Sequence, residues 1–131
     1  MPEKKKILLI DDEKDFCFFV KRNLEATGEF EVITANRGEE GIKLAERKSP
    51  DLIFLDIRMP RKDGFEVLAA IKKNEKTLSI PVVMLTAVES DDAKIKSSGL
   101  YSEDYIVKPV SCEKLRWKID AVLARLSRWR R

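Results

Sequence analysis

Residues that could handle a phosphate or a metal recur in this chain at one kind of place, directly after a short apolar run. Asp11 and Asp12 follow "KILLI" (6–10), Asp56 follows "LIFL" (52–55), Thr86 and Ala87 follow "PVVML" (81–85), and Lys108 and Pro109 follow "YIV" (105–107). In "DLIFLDIRMPRKDG" (51–64) a carboxylate closes a run of four apolar residues, a placement that costs solvation unless something compensates the charge. Two unit charges about 5 Å apart cost about 3 kcal/mol at an effective dielectric near 20. Three carboxylates sharing one edge therefore call for a cation. Oxygen ligands alone suit a hard divalent ion such as Mg2+, and the chain has no histidine, the commonest transition-metal ligand and general base. Lys108 adds a point charge able to pair with a phosphoryl oxygen. Taken singly, each group has a plainer role: Asp11-Asp12 can cap a helix, Thr86 can end a strand, and Lys-Pro can make a turn. Their joint placement at the ends of four apolar runs points to a phosphate or metal site.

The elements that must position these groups are visible in the apolar pattern. The four runs and a fifth, "FEVITA" (30–35), alternate with amphipathic segments, which indicates βαβ units and a parallel sheet. The runs lack polar alternation, as strands covered on both faces do. In such a sheet, ligands bind outside the carboxyl ends of the strands. A first helix is expected with Phe16, Phe19, Val20 and Leu24 as its core stripe and Gly28 as its end. A second, about 38–48, offers Ile42 and Ala45 and stops before Pro50, and a third, about 65–74, aligns Phe65, Leu68 and Ile71. The segment "SDDAKIKSSGL" (90–100) supports only a short, weak helix with Gly99 near its end. The last helix places Leu115, Ile119, Val122, Leu126 and Trp129 on one stripe, with Ser111 as N-cap. Phe18 falls far from the first helix's stripe and is expected to be exposed, as a candidate for a partner-binding face.

At 131 residues the chain is expected to form one domain, 1–131. Its 44% hydrophobic and 37% charged residues exclude a disordered chain and a membrane-embedded one. No apolar run approaches the roughly 20 residues that cross a bilayer, and "MPEKKKILLIDDE" lacks a signal peptide's apolar centre, so a cytoplasmic location is expected. Cys17 and Cys112 lie in no C-x-x-C or metal-ligand spacing and are expected as reduced, mostly buried thiols. Residues 114–131 hold seven Lys or Arg against Asp120, read as a solvated helix face rather than a nucleic-acid site.

Four segments, "LLIDDE", "DLIFLDIRMPRKDG", "VVMLTA" and "DYIVKP", match in order and spacing the signature segments of a known family. On them the chain resembles the receiver domains of two-component response regulators. The resemblance implies an α/β, doubly wound (βα)5 flavodoxin-like three-layer sandwich with parallel strands in the order 2-1-3-4-5. It implies Asp56 as phosphoacceptor, taking a phosphoryl group from a sensor histidine kinase or phosphotransfer protein, with Lys108 and Thr86 completing the catalytic set. Asp12 and Asp56 would ligate Mg2+ with the backbone carbonyl of Arg58, while Asp11 holds a coordinated water. Thr86, the Ala87 amide and Lys108 would bind phosphoryl oxygens. Met59-Pro60 and Asp63-Gly64 match the loop after the phosphorylation site, and Lys108-Pro109 matches a cis peptide.

Thr86 and Tyr105 would form the switch, remodelling a surface made by the fourth and fifth expected helices and the fifth strand. No enzyme activity is implied beyond self-phosphorylation and self-dephosphorylation. The implied partners are the kinase, an unknown output protein and a phosphorylation-dependent second copy, with no membrane, and nucleic acid only within a longer chain. Arg58 and Val88 stand where side chains tune phosphoryl lifetime, and Arg58 is expected to shield the phosphoryl group from water. Tyr101 stands where glycine is usual. A haloacid dehalogenase-like phosphohydrolase would need an Asp where Arg58 stands, and no G-x-x-x-x-G-K-[ST] is present for a P-loop enzyme. The remaining alternative is a receiver cut from a longer DNA-binding or enzymatic regulator.

Overall fold

The computed structural model describes residues 3–59, 63–87 and 102–129. The expected helix over 90–100, Pro60, Val88, Tyr101 and the Trp129 side chain lie outside what is described. The elements are β1 (Lys5–Ile10), α1 (Lys14–Ala26), β2 (Phe30–Ala35), α2 (Gly38–Lys48), β3 (Leu52–Asp56), α3 (Gly64–Lys73), β4 (Val82–Thr86), β5 (Asp104–Val107) and α4 (Cys112–Trp129). The strands form one parallel sheet in the order β2-β1-β3-β4-β5, the order the resemblance implied. Among the described residues no helix is long and apolar enough to cross a membrane.

The continuous apolar runs are explained by two cores, one on each face of the sheet. Ile7, Leu9, Leu52, Phe54, Val83, Leu85 and Ile106 join Val20 and Leu24 of α1 and Leu115, Ile119 and Val122 of α4. Leu8, Ile10, Ile53, Leu55, Val82 and Met84 join Ala45 of α2 and Val67, Leu68 and Ile71 of α3. Odd and even positions of each strand thus point to opposite faces, the period-two rule of a strand.

The helix ends follow local chemistry. Gly28, at φ 80, donates its N–H to the Glu25 carbonyl and stops α1 in a conformation that disfavours other residues. Asp63 caps α3 by accepting from the Glu66 N–H at 3.0 Å, and Ser111 caps α4 by accepting from the Lys114 N–H at 3.1 Å. At the outer strand β2, the Val32 N–H donates to Glu25 Oε2 at 3.0 Å while Lys21 Nζ donates to the Val32 carbonyl at 2.6 Å. Two α1 side chains therefore satisfy backbone groups that an edge strand otherwise leaves open.

One stripe assignment is corrected. Phe19 is 49% exposed, and Cys17 takes its place beside Val20 and Leu24. With those three at the stripe's centre, Phe19 sits about 130° away at 100° per residue. Phe18 is exposed as expected, at 67%.

Candidate functional site

Strand alternation decides which side chains meet at the carboxyl edge. Asp11 continues the face of Ile7 and Leu9, Asp56 that of Leu52 and Phe54, and Lys108 that of Ile106. Because β1, β3, β4 and β5 are successive neighbours, these groups converge. Asp11, Asp12 and Asp56 each offer a carboxylate oxygen, all within 4.8 Å of one another. Asp11 is fully buried and Asp56 is 5% exposed.

Lys108 is the cation that meets this cluster among the ion pairs described. Its Nζ donates to Asp11 Oδ2 at 2.6 Å and to Glu13 Oε1 at 3.0 Å, and lies 3.9 Å from Asp56 Oδ2. It also stands 4.7 Å from the centre of the Phe16 ring. The Lys108–Pro109 peptide is cis, and the Lys108 N–H donates to the Thr86 carbonyl at 2.6 Å.

The acids carry the strain of this crowding. Burial, then the Asp11 charge, push Asp56 up from 3.8 to about 7, against the pull of Lys108 and of the Arg58 N–H. Burial also raises Asp11, although Lys108 and the Glu13 N–H, which donates to Asp11 Oδ1 at 2.9 Å, oppose it. Burial disfavours the Lys108 charge, but hydrogen bonds to Asp11 and Glu13 outweigh it and the ammonium is held above its usual range. Once ionised, these three carboxylates outnumber the single ammonium that the described ion pairs place among them. An all-oxygen donor set with that charge fits a hard divalent cation such as Mg2+.

Gly64 supports the site by space rather than by backbone angle. A Cβ there would lie 2.4 Å from the Asp56 carbonyl oxygen and 2.7 Å from the Ile57 Cα, and the Gly64 N–H donates to the Ile57 carbonyl at 2.7 Å. The start of α3 is thus pressed against the end of β3. Arg58 follows two residues after Asp56, is exposed, and directs its N–H at Asp56 Oδ1 at 3.4 Å.

Thr86 is fully buried at the end of β4 and Ala87 is exposed just beyond it. Tyr105 is half-buried against the α2–α3 core. Strand alternation puts Thr86, with Val82 and Met84, on Tyr105's face of the sheet, opposite to that of Asp56.

Two contributors escaped the sequence analysis, Glu13 and Phe16, although the third acid of "DDE" was a visible signal. Cys17 lies directly behind the cluster, its Sγ 3.4 Å from the Asp11 carbonyl. Burial and the Asp11 charge push that thiol up to about 12, so it stays a protonated, unreactive packing group.

A family model described as the response regulator receiver domain matches residues 7–120. The alkaline phosphatase synthesis transcriptional regulatory protein PhoP of Bacillus subtilis is 40% identical over 121 residues, which are 92% of this chain and 49% of that protein. Among solved structures, a CheY-like response regulator receiver domain protein from Methanospirillum hungatei matches with a TM-score of 0.83 at 29% identity, over 96% of this chain and 98% of that one. The receiver domain of a sensor histidine kinase from Pseudomonas aeruginosa, solved with a magnesium ion coordinated in its active-site cleft, matches with a TM-score of 0.82 at 25% identity, over 93% and 99%. The chain spans about half the length of the curated relatives it matches.

Proposed function

Since the chain belongs to the response regulator receiver domain family, we propose that Asp56 is its phosphoacceptor and that the chain takes a phosphoryl group from a phosphohistidine of a sensor kinase or phosphotransfer protein. The convergence of Asp11, Asp12 and Asp56, with Lys108 reaching in from β5, is what supports this assignment. An Asp56 carboxylate oxygen bonds to phosphorus as the phosphorus–nitrogen bond breaks. The bonding pair stays on the imidazole nitrogen, which takes up a proton, and Asp56 becomes an acyl phosphate.

Asp12, Asp56 and the backbone carbonyl of Arg58 would hold Mg2+, with Asp11 holding one of its waters. When bound, the ion supplies positive charge against the phosphoryl oxygens and the crowded carboxylates. The Thr86 hydroxyl and the Ala87 amide bind phosphoryl oxygens, and Lys108 pairs with another. Positioning and neutralised charge are what in-line phosphoryl transfer needs, more than a strong base. Hydrolysis of the acyl phosphate by water resets the chain, so its chemistry is confined to its own phosphorylation and dephosphorylation.

Movement of Thr86 toward the phosphoryl group would draw Tyr105 inward and change the surface read by an output partner or a second copy. Because a transcriptional regulator about twice as long is among the relatives, that output is read as control of transcription when this receiver is part of a longer chain.

The test is incubation with acetyl phosphate and Mg2+, followed by intact mass and sizing. The wild type gains the mass of one phosphoryl group and Asp56→Asn does not. An equal gain on Asp56→Asn, or none on the wild type, rejects the assignment.

A further inference from the structure

We infer that Glu13 is a positioning residue that clamps Lys108 on the Asp11 side of the site, so that a phosphoryl group on Asp56 must displace the Lys108–Glu13 ion pair. This rests on Asp56 being the phosphoacceptor.

Glu13 occupies the N-cap position of α1, where Ser, Thr, Asp or Asn is usual, yet its side chain makes no capping hydrogen bond. Its carboxylate instead reaches Lys108, 95 residues away in sequence, at 3.0 Å. A lysine ammonium has three donors. Asp11 takes one at 2.6 Å and Glu13 a second, while Asp56 at 3.9 Å lies beyond hydrogen-bond reach. The Phe16 ring closes another approach to the ammonium.

The two anchors differ in strength. Asp11 is wholly buried, whereas the Glu13 side chain is 63% exposed, so the Glu13 pair is the weak and exchangeable one. A phosphoryl group places about two negative charges on Asp56, a stronger partner for the ammonium than an exposed carboxylate. Lys108 then keeps Asp11 and trades Glu13 for a phosphoryl oxygen. Glu13 therefore competes with the phosphoryl group for Lys108 and holds the unphosphorylated site together.

The experiment titrates the full chain with beryllofluoride, a non-covalent phosphoryl analogue, at saturating Mg2+, and measures Mg2+ affinity separately by calorimetry. Glu13→Gln is expected to tighten beryllofluoride binding about threefold, the scale of an exposed ion pair, with Mg2+ affinity held within about twofold. Asp15→Asn removes an equal charge from the same first turn of α1 and is expected to change neither. Unchanged or weaker beryllofluoride binding by Glu13→Gln overturns the clamp. An equal gain in Asp15→Asn overturns it too, because general charge then suffices, and so does a parallel change in Mg2+ affinity, which would place Glu13 in the cation's own shell. Failure of the phosphoacceptor assignment shows up separately, as equal mass gain on wild type and Asp56→Asn.

Discussion

Replacing Asp56 with asparagine is expected to stabilise the protein in the absence of divalent cations, by an amount that depends on pH. In the fold, burial and the neighbouring Asp11 charge push Asp56 up from 3.8 to about 7. The folded chain therefore holds this proton more tightly than the unfolded chain does. Stability from this group is full below 3.8, is lost as pH rises between 3.8 and about 7, and is flat above that window. About three pH units at about 1.4 kcal/mol each give about 4 kcal/mol of charge burial at pH 8, which a neutral asparagine of the same shape avoids. In a domain of this size about 1 kcal/mol moves Tm by about 4 °C. Thermal unfolding in EDTA should therefore show Asp56→Asn melting about 15 °C above wild type at pH 8, and only about 4 °C above it at pH 4.5. Equal melting points at pH 8, or the same difference at both pH values, would refute the claim that the acidic cluster is electrostatically frustrated without a cation.

Other changes follow from the same geometry. Mg2+ at about 100 times its Kd should add about 2.7 kcal/mol to wild-type stability, read as a rise in Tm that chelation reverses and that Asp12→Asn largely removes. Gly64→Ala would press a methyl group into the Asp56 backbone, and denaturant unfolding should show a loss of about 2–3 kcal/mol. Ser111→Ala removes the N-cap of α4 and should cost about 1 kcal/mol in the same assay. Arg58→Ala should shorten the phosphoryl half-life in a dephosphorylation time course, and an unchanged half-life would end its role as a shield.

What the sequence disclosed depended on whether a signal was local. Asp11, Asp12, Asp56, Thr86 and Lys108 stood out because each follows an apolar run, and a strand's carboxyl end is defined by a few residues. Strand order had no local signal: β1 pairs with β3 through partners 45 residues apart in sequence, and the order was available only through the family resemblance. Phe19 was misplaced because a stripe anchored on large residues overlooks a small one, and Cys17 holds the centre instead. Gly64 stood out only as part of the loop that the family resemblance matched, and its need for a bare Cα, the contact with the Asp56 backbone, is one that no neighbouring residue reveals. Glu13 stayed hidden for a similar reason, since an acid at a helix start already has a local explanation.

The distribution of the site over the two faces of the sheet gives the proposed switch its geometry. Asp11, Asp56 and Lys108 continue the α1–α4 face, while Thr86 and Tyr105 continue the α2–α3 face. The two sets are joined by β4 and β5, where Met84 pairs with Tyr105, Thr86 pairs with Val107, and the Lys108 N–H donates to the Thr86 carbonyl. A phosphoryl group on Asp56 that engages both Lys108 and Thr86 would draw on side chains from opposite faces of adjacent strands. Any shift of Thr86 would then open or close space beside Tyr105 on the face opposite the acidic cluster. Lys108 and the carboxylates would act from one side of the sheet and Thr86 and Tyr105 from the other, so the signal would cross the sheet through the β4–β5 pair.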